Sequence, residues 1–182
     1  MKKVIVVAGG TGNLGERVIK ALLAGGAEVR ALVRASSDKN KIEKLQKSSV
    51  QVIPVNFSDT EEVARACAGA SCVVSTLSGL RDVIVDTQKV LLHAAIAAGV
   101  PRFIPSDYSI DFARLEFGEN RNLDFRKEFQ QYLDQQMGIA ATTIFIGAFA
   151  DMLTGQMPLI LFKLKRVLYW GSADRAPGRL RT

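Results

Sequence analysis

The chain has 182 residues, 48% hydrophobic and 23% charged, a globular composition long enough for one domain with a real core. The net charge of +6 sits on helix-like stretches such as residues 39–47 and on the final RAPGRLRT; no basic stripe interleaved with aromatics points to nucleic acid, and a basic protein attracts a polyanionic cofactor. Cys67 and Cys72 have neither C-x-x-C nor metal spacing, and one histidine cannot complete a zinc site, so no metal is expected.

Met1-Lys2-Lys3 leads straight into a strand with no signal peptide ahead of it, so the expected location is cytoplasmic. Residues 4–15 read VIVVAGGTGNLG. Four consecutive apolar residues suit a strand buried on both faces of a parallel sheet. Gly9, Gly12 and Gly15 follow at three-residue spacing, and Leu14, Val18 and Leu22 then recur at i, i+4, i+8, one face of a helix. Strand, glycine turn and helix N-terminus make a phosphate site, because free N–H groups and the positive end of the helix dipole converge there. The spacing is G-x-x-G-x-x-G rather than G-x-G-x-x-G. A triphosphate-binding P-loop is excluded, since Glu16 and Arg17 follow where Lys and Ser/Thr are required.

Gly25-Gly26 ends this helix, and residues 27–33 read as a second strand closed by Arg34. An acid at that strand end bonds the ribose 2′-hydroxyl of NAD, whereas an arginine accommodates the 2′-phosphate of NADP. Arg34 therefore points to NADP(H). Residues 38–47 form a short charged helix and 50–55 a third strand; Ser58-x-x-Glu61 matches a capping box that opens a helix to about Cys67. The fourth strand, residues 71–76, ends in the small polar run 75–79. Ligands of doubly wound sheets lie at carboxyl strand ends, which makes Ser75, Thr76 and Ser78 candidates to line the cofactor path.

Residues 82–98 read as one long helix ended by Gly99, and His93 within it is given no role. Residues 102–105 form a fifth strand, followed by PSDYSIDF at another carboxyl end. A helix over about 122–137 carries Phe125, Phe129, Tyr132 and Met137 on its apolar side, and 140–146 is the sixth strand. The β-α alternation predicts an α/β fold with a right-handed, doubly wound parallel sheet. Residues 152–168 are apolar but carry Lys163, Lys165 and Arg166, so no membrane span is expected. No Tyr-x-x-x-Lys pair exists: Phe112, Gln136 and Ala173 stand four residues after the three tyrosines.

In this order GGTGNLG, ALVR, VVSTLSG, Gln88 ahead of AAIAAGVPRFIPSDYS, and TTIFIGAFADM resemble the NmrA-like group of atypical short-chain dehydrogenases, near the isoflavone-reductase-like reductases. The likeness runs to about Trp170. It implies a Rossmann NAD(P)-binding domain followed by a smaller substrate domain. On this chain it places the cofactor against Gly9, Thr11, Gly12, Asn13, Leu14, Gly15, Arg34, Ser75, Thr76, Leu77, Pro105 and Ser106. It assigns acid-base chemistry to a lysine early in the helix before the sixth strand, which is Lys127. On a helical wheel Lys127 lies opposite the Phe125/Phe129/Tyr132 stripe and faces solvent unless a cleft or second domain covers that side. Where the family commonly reads PSEFG, this chain has Pro105-Ser106-Asp107-Tyr108-Ser109, a shorter acid and an added hydroxyl.

The resemblance implies residues 1–147 as the NADP-binding domain and 148–171 as the start of a substrate domain that is otherwise missing; residues 172–182 have no periodicity, do not resemble the family, and read as a disordered tail. Two functions stay open. One is an NADPH-dependent reductase of a small aromatic or enone-like molecule, working by hydride transfer. The other is an NADP(H)-binding redox-sensing regulator without catalysis. Phe149, Met152, Leu153, Met157, Leu159, Ile160, Leu161, Phe162 and Trp170 form a dense apolar run, for which a homodimer is the expected cover.

Overall fold

The computed structural model describes residues 3–151 and 160–167. The chain divides into two compact units, residues 1–145 and 146–182. The first unit carries a sheet of β1 (Val4–Ala8), β2 (Glu28–Val33), β3 (Gln51–Pro54), β4 (Cys72–Ser75), β5 (Arg102–Ile104) and β6 (Ala140–Ala141). The strand order is β3-β2-β1-β4-β5-β6 and every pairing is parallel. The chain winds outward from β1 to β3, then returns to lay β4 beside β1. At that reversal the connections leave in opposite directions and open a crevice at the carboxyl ends of β1 and β4.

Alternation along the central strands splits the core between the two faces of the sheet. Val6, Ala8, Leu32, Val73 and Phe103 meet α3 (Thr60–Cys67), α4 (Gln88–Ala97) and α5 (Arg121–Leu133) through Val63, Leu91, Leu92 and Phe129. Val7, Ala31, Cys72 and Val74 meet α1 (Asn13–Ala24) and α2 (Lys39–Gln46) through Ile19 and Leu45. The continuous apolar run of β1 is thus consumed on both sides.

Several boundaries differ from the sequence expectations. The fully buried residues of α1 are Gly15 and Ile19, with Val18 and Leu22 only partly buried, so the buried stripe is rotated by one residue from Leu14/Val18/Leu22. The cap of α3 is Asp59, not Ser58: one carboxylate oxygen accepts from the N–H groups of Glu61 and Glu62 at 3.0 Å, and a carboxylate outcompetes the hydroxyl one residue earlier. The expected helix over 82–98 is two structures, a π-helix at Asp82–Thr87 followed by α4. Helix α5 starts behind the Asn120 cap and stops at Leu133, leaving Met137 beyond it and 86% exposed; Phe129 and Leu133 are its buried anchors. The sixth strand has two residues, because only Arg102 and Phe103 of β5 offer it partners.

His93, given no role from sequence, shares a 2.6 Å hydrogen bond with the Tyr132 hydroxyl and pins α4 to α5. In the second unit, β7 (Ile160–Leu161) and β8 (Arg166–Val167) pair as an antiparallel hairpin around Lys165, whose φ is 50°. The expected tail at 172–182 and most of the apolar run proposed as a dimer surface, including Met152, Leu153, Met157, Leu159 and Trp170, lie outside the described residues. Among the described residues no helix is long and apolar enough to cross a membrane, and no three His, Cys, Asp or Glu side chains gather as a metal site.

Candidate functional site

The crevice begins with the turn after β1. Gly9 has φ +84°, a conformation that side chains rarely adopt, and a Cβ there would stand 2.8 Å from the carbonyl of Thr76. Glycine therefore lets β1 and β4 close on each other at their carboxyl ends. The Thr76 hydroxyl donates to the Ala8 carbonyl at 2.8 Å, and the Thr76 N–H donates to the same oxygen at 2.8 Å, tightening that junction. Gly15 serves a second approach: a Cβ would fall 2.3 Å from the Gly9 carbonyl oxygen, so only glycine lets the first turn of α1 rest on the loop.

Gly12 is different. Its φ of −84° and ψ of 163° suit any residue, and a Cβ there would meet only the Gly9 carbonyl oxygen, at 3.3 Å. Gly12 is the N-cap of α1 and offers no side-chain cap, so the N–H groups of the first turn, from Asn13 to Gly15, have no intrahelical acceptor. What a side chain at residue 12 would fill is the cleft. A concavity of about 210 Å³ is lined there by Gly9, Thr11, Gly12, Arg34, Thr76 and Leu77, all anticipated from sequence. Ser78, also anticipated, joins them. Arg34, at the end of β2, is exposed, and its guanidinium has no ion pair among the described residues.

The remaining candidates stand around or beneath this cleft. Asn13 is exposed on the first turn, Leu14 is half-buried, and Gly15 is buried under the loop. Ser75 is fully buried in β4 and its hydroxyl has no hydrogen-bond partner among the described residues. Pro105 and Ser106 are buried at the end of β5. The Ser106 hydroxyl donates to the Leu77 carbonyl at 2.6 Å, and the Ser106 N–H donates to Gln88 Oε1 at 2.9 Å. The Gln88 Nε2 donates to the Ile84 carbonyl at 2.6 Å, so one buried amide ties the π-helix to the end of β5. Lys127 is half-buried rather than solvent-facing. Its amine donates to the Leu115 carbonyl and lies 4.9 Å from the centre of the Phe117 ring, so the segment after β5 is what covers it.

Sequence reasoning missed further cleft residues: Ser37, Phe57, Val83 and Thr87. Phe57 follows β3 and was within reach of the strand-end rule; Val83 and Thr87 depend on the π-helix, which no periodicity announces. It also missed Asp107 and Arg126. Asp107 is fully buried and neither carboxylate oxygen has a hydrogen-bond partner among the described residues. Burial raises its pKa to about 7, only partly offset by the Arg126 guanidinium. Arg126 donates from Nη1 to the Asn122 carbonyl at 2.8 Å, but its Nε is buried without a partner among the described residues, and burial lowers its pKa. Tyr108 is pushed up to about 12, chiefly by burial, which keeps its hydroxyl protonated.

The model of the NmrA-like family matches residues 1–166. An isoflavone reductase homolog from Lupinus albus is 31% identical over 194 residues, covering 97% of this chain and 61% of that protein. A bifunctional pinoresinol-lariciresinol reductase from Linum usitatissimum is 35% identical over 118 residues, 61% of this chain and 38% of that protein. In three dimensions the chain is similar to AtPrR2 with NADP+ and (+)pinoresinol, with a TM-score of 0.76 and 28% identity over 87% of this chain and 54% of the other. An isoflavone reductase crystal structure shares the fold at TM-score 0.75 and 20% identity, over 93% of this chain and 56% of the other.

Proposed function

The chain belongs to the NmrA-like family, and from that premise we propose that it binds NADP(H) in the crevice between β1 and β4 and reduces a small aromatic or enone-like molecule. The observation that carries the reading is the pairing of an open glycine turn at Gly12 with Arg34, which has no ion pair among the described residues, on the same cleft. The residues fit the group. The free N–H groups ahead of α1 suit a pyrophosphate, and Arg34 suits a 2′-phosphate with Ser37 beside it. When bound, the reduced nicotinamide supplies a hydride.

The protein's own part is to position and to move a proton. Thr76, bonded to the Ala8 carbonyl, and Ser106, bonded to the Leu77 carbonyl, tie together the carboxyl ends of β1, β4 and β5. Lys127 is the proton-carrying candidate, as the family resemblance implies. In this structure its amine is engaged by the Leu115 carbonyl. That contact favours a second reading, in which the chain binds the cofactor and signals without turnover. Residues 1–147 would be the cofactor unit and 148–171 the start of a substrate unit, with self-association through the apolar run near its end.

The deciding experiment is NADPH oxidation against a panel of enones, beside a calorimetric titration of NADPH. Binding with turnover supports the reductase. Binding with no turnover across the panel supports the sensor. No binding of NADPH overturns both.

A further inference from the structure

Gln88 is a buried polar side chain that the cofactor reading leaves without a function. It is fully buried at the junction of the π-helix and α4, and it is not one of the residues that line the cleft. Its Nε2 donates to the Ile84 carbonyl at 2.6 Å, and its Oε1 accepts from the Ser106 N–H at 2.9 Å. In an α-helix the Ile84 carbonyl would take the backbone N–H of residue 88. Here that N–H donates to the Val85 carbonyl instead, and the amide side chain reaches the Ile84 oxygen. The Thr87 hydroxyl donates to the Asp82 carbonyl, five residues back, at 3.0 Å, the reach of the wider π turn. A buried carbonyl without a donor is costly, so the Gln88 side chain stabilises the π turn against rewinding.

The π turn forms part of the cleft wall. Val83 and Thr87 line it together with Leu77 and Ser78 of the segment after β4. A Cβ on Gly79 would stand 2.7 Å from the Val83 Cβ and Cγ2, so that segment lies directly on the π turn. The Ser106 hydroxyl donates to the Leu77 carbonyl at 2.6 Å, so the residue that Gln88 Oε1 holds also holds Leu77. One amide thus fixes the wall from two sides, Val83 and Thr87 through Ile84 and Leu77 through Ser106. Rewinding as α-helix would return the Ile84 carbonyl to the N–H of residue 88. It would also turn the residues ahead of it about the helix axis, carrying Val83 off Gly79 and away from the cleft.

We propose that Gln88 is a positioning residue for the dinucleotide: from outside the cleft it holds the π turn whose Val83 and Thr87 form the wall against which NADP(H) lies. This role rests on the cofactor reading and adds to it a residue that touches no part of the cofactor. A neutral amide donates to a carbonyl and accepts from an N–H at once. Methionine keeps the length and loses both bonds. A glutamic acid makes both only while protonated; ionised, it turns an acceptor toward the Ile84 carbonyl.

The test is calorimetric titration of the whole chain with NADP+. Gln88→Met should weaken NADP+ by about tenfold, the loss of the hydrogen bonds that shape the wall. The control is Leu92→Ala, in the buried core of α4 and not on the cleft. It should lower the melting temperature at least as far and leave the affinity within about twofold. Gln88→Glu supplies the rescue. Burial holds its carboxyl protonated at about pH 5.5 and lets it ionise by about pH 8. Its NADP+ affinity is taken as a ratio to the unmodified chain at each pH, so that titration of Asp107 and of the cofactor phosphate cancels. The ratio should be near unity at the acid end and fall about tenfold at the alkaline end. The same profile decides the matter if Gln88→Met does not fold. Affinity within about twofold in Gln88→Met, an equal loss in Leu92→Ala, or a flat Gln88→Glu ratio overturns the positioning role and leaves the cofactor reading standing. No NADP+ binding to the unmodified chain refutes the cofactor reading, and the positioning role falls with it.

Discussion

Two glycines three residues apart should give opposite phenotypes. In Gly15→Ala, the new Cβ would lie 2.3 Å from the Gly9 carbonyl oxygen and 2.8 Å from the Gly10 Cα. Both are backbone atoms, so no side chain can swing aside, and the start of α1 must retreat by roughly 1 Å to restore ordinary contact. Overpacking of this kind costs about 1–3 kcal/mol, against less than about 1 kcal/mol gained from replacing glycine in a helix. A net loss of about 1 kcal/mol lowers the melting temperature by roughly 2–4 °C for a domain of this size. Gly12→Val meets one atom, the Gly9 carbonyl oxygen at 3.3 Å, in a backbone conformation that valine favours. Its stability cost is that of a poorer N-cap, about 0.5–1 kcal/mol. Its methyl groups, however, enter a cleft of about 210 Å³ and block the N–H groups behind it. NADPH affinity should fall about a hundredfold, the loss of one or two charge-assisted bonds. Thermal denaturation and calorimetric titration of both variants decide the matter. A Gly12→Val protein that binds NADPH like the unmodified chain, or a Gly15→Ala protein with an unchanged melting temperature, would refute the division of labour between the two positions.

Arg34→Ala should weaken NADPH by about ten- to hundredfold and leave NADH nearly unchanged, because only NADPH carries the 2′-phosphate; equal losses for both cofactors would remove the specificity role. Asp107 gives the fold a pH dependence. Its folded pKa of about 7 stands above the ordinary 3.8, so its contribution is fully present below pH 3.8 and is lost as pH rises through 7. The loss amounts to about 4 kcal/mol. Asp107→Asn removes it, so the stability of the variant relative to the unmodified chain, from urea denaturation at a series of pH values, should climb between pH 4 and 7 and level off above; a constant difference would show that the carboxyl is not buried as described. Lys127→Met should lower turnover by roughly a hundredfold or more with NADPH affinity unchanged; turnover at the original rate would move the proton transfer to another group.

Much of this protein was legible along the chain. The unbroken apolar run of β1, the glycines behind it and the regular β-α alternation determine a parallel sheet wound both ways, because a strand with no polar face has to be covered on both sides. Arg34 was legible for the same reason: strand order brings the end of β2 beside the glycine turn in any sheet so wound. Local competition decided smaller points that the pattern leaves open, such as the capping of α3 by Asp59 ahead of Ser58. Tertiary structure alone decided the rest. The π-helix that brings Val83 and Thr87 to the cleft depends on a buried Gln88 caught between Ile84 and Ser106. Lys127 was expected to face solvent unless a cleft or second domain covered that side, and the segment that covers it comes from outside its helix. Asp107 reads in sequence as one acid in a polar loop. Its burial arises from the tertiary packing at the end of β5, and desolvation, which no local spacing encodes, raises its pKa to about 7.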